Sequence, residues 1–317
     1  MIFDIAAIFI AFWVGFAMKR GGLCTYAAAL QIANEHKFAR LFDFLGAASW
    51  AALVVVPLAW WLPQQVALSR IHDDWSTAAA GGALLGVGAW INRGCVFGTF
   101  VQLVGGNMNY LATLLGMALG VALAETTIAD MTPALRHPNP VQQPGMAAAV
   151  WLVLTALLAL GLLLSPAHKA LVMVALGAGG GLLFATLEGW DFASVLAAGV
   201  RRSLDPALPS PTLLALFTTL AMIVGGLSAA FGNGSFRFSS WSARTATACL
   251  AGGLLMGVAS YLIPGGNDGL LLKGIPGLAA HAFLGFASML ATMLLLLSLH
   301  TNDRGYSSPP TGRESPG

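Results

Sequence analysis

Long runs of apolar residues alternate with short polar segments along almost the whole chain. A helix needs roughly 20 residues to cross the hydrocarbon core of a bilayer. Nine runs approach or reach that length: 1–19, 40–62, 77–91, 109–128, 146–164, 168–187, 211–231, 245–262 and 277–299. The first run has Asp4 before its apolar centre and Lys19-Arg20 after it, the reverse of a cleavable signal. The pattern predicts an all-α integral membrane protein with about nine transmembrane helices.

Composition narrows the class of protein further. Of the 317 residues, 57% are hydrophobic and only 9% are charged, whereas a soluble domain has about 25% charged residues. So few charges cannot cover a water-facing surface, and a net charge of +2 makes no basic footprint for nucleic acid. Three cysteines cannot form a disulfide framework. A soluble enzyme, a secreted disulfide scaffold and a nucleic-acid binder are therefore excluded.

The Lys and Arg residues between the runs predict an orientation. With the N-terminus outside, the inside loops contain twice as many of them as the outside loops. Because cytoplasmic loops carry the excess of Lys and Arg, we expect the N-terminus outside and the C-terminus in the cytoplasm.

Four segments are too short to cross a bilayer and too apolar for water: 23–34, 95–104, 190–199 and 266–275. Each of them follows a glycine or a pair of glycines. Irregular backbone at membrane depth is tolerated only where it is buried in protein or lines a polar cavity. We therefore predict four short re-entrant half-helices, and helices lying flat at the interface are the alternative.

An internal repeat accompanies these segments. GFAMKRGGLC, GVGAWINRGC, GLLFATLEGW and GVASYLIPGG begin at Gly15, Gly86, Gly181 and Gly257. Two copies lie in each half, and the single extra run between them inverts the second half, as in many transporters. The predicted units are a first half (1–128), a connecting loop and linking helix (129–167, exposed over 129–145), a second, inverted half (168–300) and a disordered tail (301–317).

Cys24 and Cys95 end the first two copies, where half-helices should begin. A helix N-terminus presents free N–H groups and partial positive charge to an anion, Arg20 and Arg93 add charge, and glycines allow close approach to the backbone. In the fourth copy, Asn267 and Asp268 could instead cap the half-helix. The predicted site therefore contains Cys24, Cys95, Arg20, Gly21, Gly22, Arg93, Gly94, Gly98, Gly265, Gly266, Asn267 and Asp268.

The third cysteine, Cys249, lies inside a predicted span and off the repeat spacing, among Gly252, Gly253 and Gly257. Small residues of this kind pack helices closely, so we predict a packing role for it. The histidines form no metal-ligand spacing, and the chain has no nucleotide-binding or hydrolase motif. We expect no enzymatic activity, no cofactor and no metal.

Three motifs carry a family resemblance: RGGLC at 20–24, GVGAWINRGCVFGTF at 86–100 and IPGGNDGLLLKGIP at 263–276. They resemble the YeeE/YedE family of bacterial inner-membrane proteins, whose characterised members take up thiosulfate. The resemblance implies a compact fold with cysteines aligned through a narrow centre, Cys95 contacting substrate and Cys24 beside it. The family's third cysteine falls where this chain has Gly265-Gly266-Asn267, so two thiols remain.

The sequence therefore predicts a membrane permease for uptake of thiosulfate or a related small sulfur-containing anion. Its expected partners are that anion, the lipid bilayer and a cytosolic sulfur-accepting protein, without nucleic acid. Three alternatives stay open: a membrane component of a sulfur redox or persulfide relay, a channel for an unrelated small anion, and a structural subunit of another complex.

Overall fold

A computed structural model describes residues 2–66, 68–69, 71–72, 74–128, 135–137, 139–163, 167–187, 189–263 and 266–300. Over these residues the chain is almost entirely helical. The helices of the first half and the linking helix are α1 (Ile2–Gly21), α2 (Thr25–Glu35), α3 (Ala39–Trp61), α4 (Trp75–Asn92), α5 (Val96–Val104), α6 (Leu111–Thr127, preceded by a 3₁₀ turn) and α7 (Met146–Leu163).

The second half repeats this order. Its helices are α8 (Ala167–Val174), α9 (Gly181–Thr186), α10 (Phe192–Leu204), α11 (Leu213–Gly232), α12 (Ala243–Leu262), α13 (Gly266–Gly269) and α14 (Ala280–His300). A π-helical turn, Ala175–Gly180, joins α8 to α9, and a second one, Leu270–Gly274, continues α13.

Eight helical segments among the described residues are long and apolar enough to cross a membrane. They are Ile2–Glu35, Ala39–Trp61, Trp75–Val104, Met108–Thr127, Lys169–Thr186, Leu213–Gly232, Ala243–Leu262 and Ala280–His300. The apolar stretch Met146–Gly161 of α7 is shorter. The chain is a multi-pass membrane protein, and the predicted all-α fold is confirmed.

The run 77–91, the shortest in the sequence, belongs to a longer helix because its start is capped. The exposed carboxylate of Asp74 accepts hydrogen bonds from the backbone N–H groups of Ser76 and Thr77. Such a cap satisfies donors that have no partner inside the helix, so α4 begins at Trp75 rather than two residues later.

Each repeat contains the predicted break followed by a short helix. One residue at each break has positive φ: Gly22 (57°), Arg93 (57°), Gly189 (65°) and Gly266 (58°). The half-helices that follow are α2, α5, α10, and α13 with its π-helical turn. Glycine adopts this conformation without steric cost, which explains three of the four positions; Arg93 is held by the contacts described below.

Parallel packing between the halves establishes their inversion. A Cβ on Gly82 or Gly86 of α4 would meet the backbone of Gly285 or Met289 of α14, so these helices run parallel. The helix α6 runs parallel to α12, where Thr113 and Met117 face Gly253 and Gly257. Within each half, successive spans alternate in direction, so the third and fourth spans (α4 and α6, or α12 and α14) are antiparallel. The third span of one half can therefore run parallel to the fourth span of the other only when the two halves are inverted. The predicted inverted repeat is confirmed.

The four repeat glycines share one structural role. Gly15 lies where α1 crosses α11, so close that an added Cβ would overlap the carbonyl oxygen of Met222. Gly86, Gly181 and Gly257 each lie at a comparable crossing between the two halves. Small residues at such crossings let helix backbones approach closely within a membrane. The glycine that begins each repeat therefore joins the two halves.

The connection 129–145 is not simply exposed, contrary to the sequence-based expectation. Leu135–His137 forms a short antiparallel strand pair with Ile71–His72, and Asn139 and Val141 are buried. Val141 belongs to an apolar cluster with residues of α3 and α7. Part of this segment is therefore packed against these two helices. Residues 129–134 and the predicted disordered tail, 301–317, lie outside the described residues.

Candidate functional site

The two thiols of the first half meet at the centre of the repeat. Cys24 precedes the first residue of α2 and Cys95 precedes the first residue of α5, each in extended backbone conformation. Their Sγ atoms lie 3.9 Å apart, and both cysteines are free thiols. The backbone N–H of Thr25 donates a hydrogen bond of 3.2 Å to Sγ of Cys95. The first turn of one half-helix is thus bonded to the thiol that begins the other.

Gly98 makes this close approach possible. A Cβ at Gly98 would lie 2.5 Å from Sγ of Cys24 and 4.0 Å from Sγ of Cys95, so any side chain there would displace the Cys24 thiol. Gly94 differs, because the nearest heavy atom to a Cβ there is 3.5 Å away. Of these two glycines in the predicted site, only Gly98 is required sterically by the thiol pair.

The other predicted residues are distributed over three places. Arg20, Gly21 and Gly22 are exposed at the end of α1. Arg93 is exposed in a vestibule described below. Gly266, Asn267 and Asp268 are buried at the start of α13, and Gly265 lies outside the described residues.

A buried polar network holds the turn before Cys95. The side-chain amide of Asn92 donates to the carbonyl oxygen of Gly94 at 2.6 Å and to Oγ1 of Thr99 at 3.1 Å. The hydroxyl of Thr113 donates to Oδ1 of Asn92 at 2.7 Å. This network restrains the left-handed turn at Arg93. Sequence reasoning missed it, although a lone Asn at the end of an apolar run was a visible signal.

A vestibule lined partly by Asn92 and Arg93, which precede Cys95, opens at the face where α14 ends, which we call the C-terminal face. Its volume is about 860 Å³. Its polar lining includes Asn34, Asn92, Arg93, Arg244, Thr245 and His300, and Cys249 also borders it. Two arginines in a cavity with low-dielectric walls raise the local concentration of anions. Arg244 and His300 were not among the residues predicted from the sequence.

Backbone conformation and sequence spacing select different residues of the second half as the counterparts of Cys24 and Cys95. Cys24 and Cys95 each lie two residues after the left-handed residue of their repeat, and the matching positions in the second half are Asp191 and Asp268. Spacing from the repeat glycines instead selects Trp190 and Gly266, because the left-handed residue comes one and two positions later there. Two thiols and two carboxyl groups therefore lie at or near the starts of the four half-helices.

Asp191 performs the capping role that its position suggests. Its carboxylate accepts hydrogen bonds from the backbone N–H groups of Ala193 and Ser194 and from the Ser194 hydroxyl. The sequence predicted capping by Asp268 but not by Asp191, because the spacing from the repeat glycine selects Trp190 at this point.

Inverted repeats whose half-helix N-termini converge on a buried centre define a membrane protein of transporter architecture. The sequence matches the family described as sulphur transport twice, over residues 20–164 and 132–295. The chain belongs to this family, and the resemblance to YeeE/YedE proteins is confirmed. A search of curated proteins finds no match. The duplicated match agrees with the two inverted halves, and the family description supports transport of a sulfur compound.

The steric role of Gly98 leads to a prediction. We expect Gly98→Ala to slow oxidative cross-linking of Cys24 to Cys95, because the added methyl group displaces the Cys24 thiol. The measurement is titration of free thiols during copper-catalysed oxidation of the purified protein. Gly94→Ala is the matched control and should oxidise like the wild type. Equal rates for all three proteins would contradict the geometry.

Proposed function

We propose that this protein is a permease for uptake of thiosulfate or a related small sulfur-containing anion. The observation that carries the proposal is the convergence of two half-helix N-termini on a pair of free thiols 3.9 Å apart. The anion would pass through a narrow path lined by Cys24 and Cys95, between the half-helices. Helix N-termini favour an anion there through free N–H groups and partial positive charge.

Polar atoms without partners lie where the path would need them. Oγ1 of Thr25 is buried beside the thiol pair, and within the described residues it has no hydrogen-bond partner. The side-chain nitrogen and oxygen of Asn267, at the start of α13, are also buried without a hydrogen-bond partner among the described residues. Buried polar groups are normally hydrogen-bonded, so unpartnered ones suit a transient guest. Thiols donate only weak hydrogen bonds, which permits binding shallow enough for release.

The vestibule would form the part of the anion path between the thiol pair and the C-terminal face. Arg93 and Arg244 would attract the anion at the C-terminal face, where Lys and Arg residues are concentrated. By the positive-inside rule, that face is the cytoplasmic one, in a bacterial inner membrane with the N-terminus outside. The anion would then leave through the vestibule, where a cytosolic sulfur-accepting protein could collect it. The segments 1–128 and 168–300 would form the two halves of the permease.

The deciding experiment uses a bacterial host that lacks its own sulfate and thiosulfate uptake. We expect the chain to restore growth on thiosulfate and to mediate uptake of labelled thiosulfate into membrane vesicles. Excess unlabelled chloride should leave uptake unchanged in a sulfur-specific permease and reduce it in a general anion channel. Absence of uptake by the chain reconstituted alone would instead support a structural subunit.

Cys249 provides a test of the two-thiol path. It is buried against Tyr110, Ala112 and Ala246, and its site requires volume rather than a thiol. We expect Cys249→Ala to retain most thiosulfate uptake at matched membrane abundance. Loss of uptake by a correctly inserted variant would show that Cys249, at the border of the vestibule, replaces the family's third thiol.

A second candidate function follows from the same pair of thiols. A thiolate at Cys95 could attack the sulfane sulfur of thiosulfate, forming a persulfide as the sulfur–sulfur bond of thiosulfate breaks and sulfite leaves. The close second thiol favours such a relay, because Cys24 could receive the sulfur next. Sulfite release, together with a mass increase of one sulfur atom on the protein, would support the relay against simple permeation.

A further inference from the structure

Two buried carboxyl groups share a cavity with the residues that follow Cys95, without a role in the path described so far. Asp191 is 2% exposed and Asp268 is 5% exposed. Both residues line one small cavity of about 10 Å³. That volume accommodates about one water molecule. The cavity is also bordered by Val96 and Phe97, the residues that follow Cys95 on α5.

The shared cavity places two carboxyl groups in one buried site. Two carboxylates that face one small buried cavity repel each other, and burial further disfavours charge. The remaining lining residues, which come from α1, α5, α9, α10, α11 and the two π-helical turns, are apolar or aromatic. Lys273, on the turn after α13, is half-buried and does not line this cavity.

An independent observation indicates that the cavity binds a polar guest. Trp190 lines the cavity and is 2% exposed, and its Nε1–H has no acceptor among the described residues. Asn267, beside Asp268, is 1% exposed and has two unpartnered amide atoms. A water molecule in the cavity could accept from Trp190 Nε1–H and donate to a carboxylate.

The position of the pair makes its protonation relevant to the anion. The spans before Asp191 and Asp268 run toward the opposite face from the spans that precede the thiols, because the halves are inverted. A path that follows the starts of all four half-helices would pass carboxyl groups as well as thiols. An ionised pair would repel the anion, whereas a protonated pair could donate a hydrogen bond to it.

We propose that Asp191 and Asp268 form a proton-binding site that couples passage of the anion to inward movement of protons. This inference rests on the proposed permease function. Each anion binds while the pair is protonated, and the proton is released on the cytoplasmic side with the anion. Linkage requires the reverse effect also, so that bound anion favours the protonated pair.

The test uses the full chain reconstituted in liposomes, with the membrane potential clamped at zero and labelled thiosulfate outside. An inside-alkaline pH gradient should drive accumulation that rises about tenfold per pH unit for each proton carried. A protonophore should abolish that accumulation. A pH-sensitive dye inside the liposomes should report acidification when thiosulfate is added.

Two variants separate coupling from folding. Asp268→Asn should lose gradient-driven accumulation while retaining exchange of internal for external thiosulfate. Asp191→Asn keeps an oxygen that can cap α10 and should behave in the same way. Asp205→Asn removes an exposed carboxylate at the other end of α10 and should match the wild type.

Every outcome bears on one of the two proposals. Thiosulfate accumulation by the wild type that is independent of the pH gradient, or that depends on a sodium gradient instead, overturns proton coupling. The proposed permease function is not affected by that result. Gradient-driven accumulation by both Asn variants also overturns proton coupling. Absence of uptake under every gradient overturns the permease and the coupling together. If either variant fails to insert, the protonophore and dye measurements on the wild type decide.

Discussion

Cys95→Ala is expected to reduce thiosulfate uptake about tenfold to hundredfold at matched protein level. The Cys95 thiol is fully buried and accepts a hydrogen bond from the N–H of Thr25. Loss of a hydrogen bond to a charged substrate costs about 1.5–3 kcal/mol, and the alanine also leaves the Thr25 N–H without this acceptor. The measurement is initial uptake of labelled thiosulfate into vesicles.

Two comparisons show whether the effect is specific to the narrow path. Arg93→Ala should reduce uptake less than Cys95→Ala, because Arg93 is exposed in a wet vestibule where salt screens its charge. Cys249→Ala should retain most uptake, as argued above. Near-normal uptake by Cys95→Ala would rule out contact between this thiol and the passing anion, while leaving the fold unaffected.

Gly15→Ala is expected to lower the yield of folded protein and its thermal midpoint in detergent. The new methyl group would overlap the backbone carbonyl of Met222, which cannot move without separating α1 from α11. Overpacking of this kind costs about 1–3 kcal/mol, more than the gain of about 1 kcal/mol from replacing a helical glycine by alanine.

The matched control for Gly15→Ala is Gly232→Ala, on the partner helix α11. No atom lies within 4 Å of a Cβ built at Gly232, so this variant should be as stable as the wild type. A midpoint for Gly15→Ala equal to that of Gly232→Ala would show that α1 and α11 do not cross as closely as described.

Most of the architecture was predictable because lipid imposes a simple rule on the sequence. Each helix must satisfy its backbone N–H and C=O groups with hydrogen bonds inside the helix and present apolar side chains to lipid. Spans therefore appear as uninterrupted apolar runs. The repeat glycines were visible for a related reason, since a helix crossing that excludes a Cβ excludes every residue except glycine. The similar segments that begin at Gly15, Gly86, Gly181 and Gly257 therefore indicated four structural copies.

The site was only partly predictable. Cys24 and Cys95 were recognisable because their repeats share the same spacing and residue type. Asp191 was missed because the second half has one or two more residues between the repeat glycine and the left-handed turn, which shifts the register. Arg244 and His300 were missed because they join Arg93 from α12 and α14, far apart in the chain.

The sequence by itself determined the membrane-spanning helices, their fourfold repeat and the inversion of the halves, because these depend on hydropathy, chain length and local spacing. Only the tertiary structure decided that Arg20 lies exposed, that Gly98 accommodates the Cys24 thiol, and that Asp191 and Asp268 line one cavity. Such contacts depend on the rotation and crossing of helices from different repeats. Hydropathy does not encode those angles, because lipid-facing and protein-facing sides of these helices are similarly apolar.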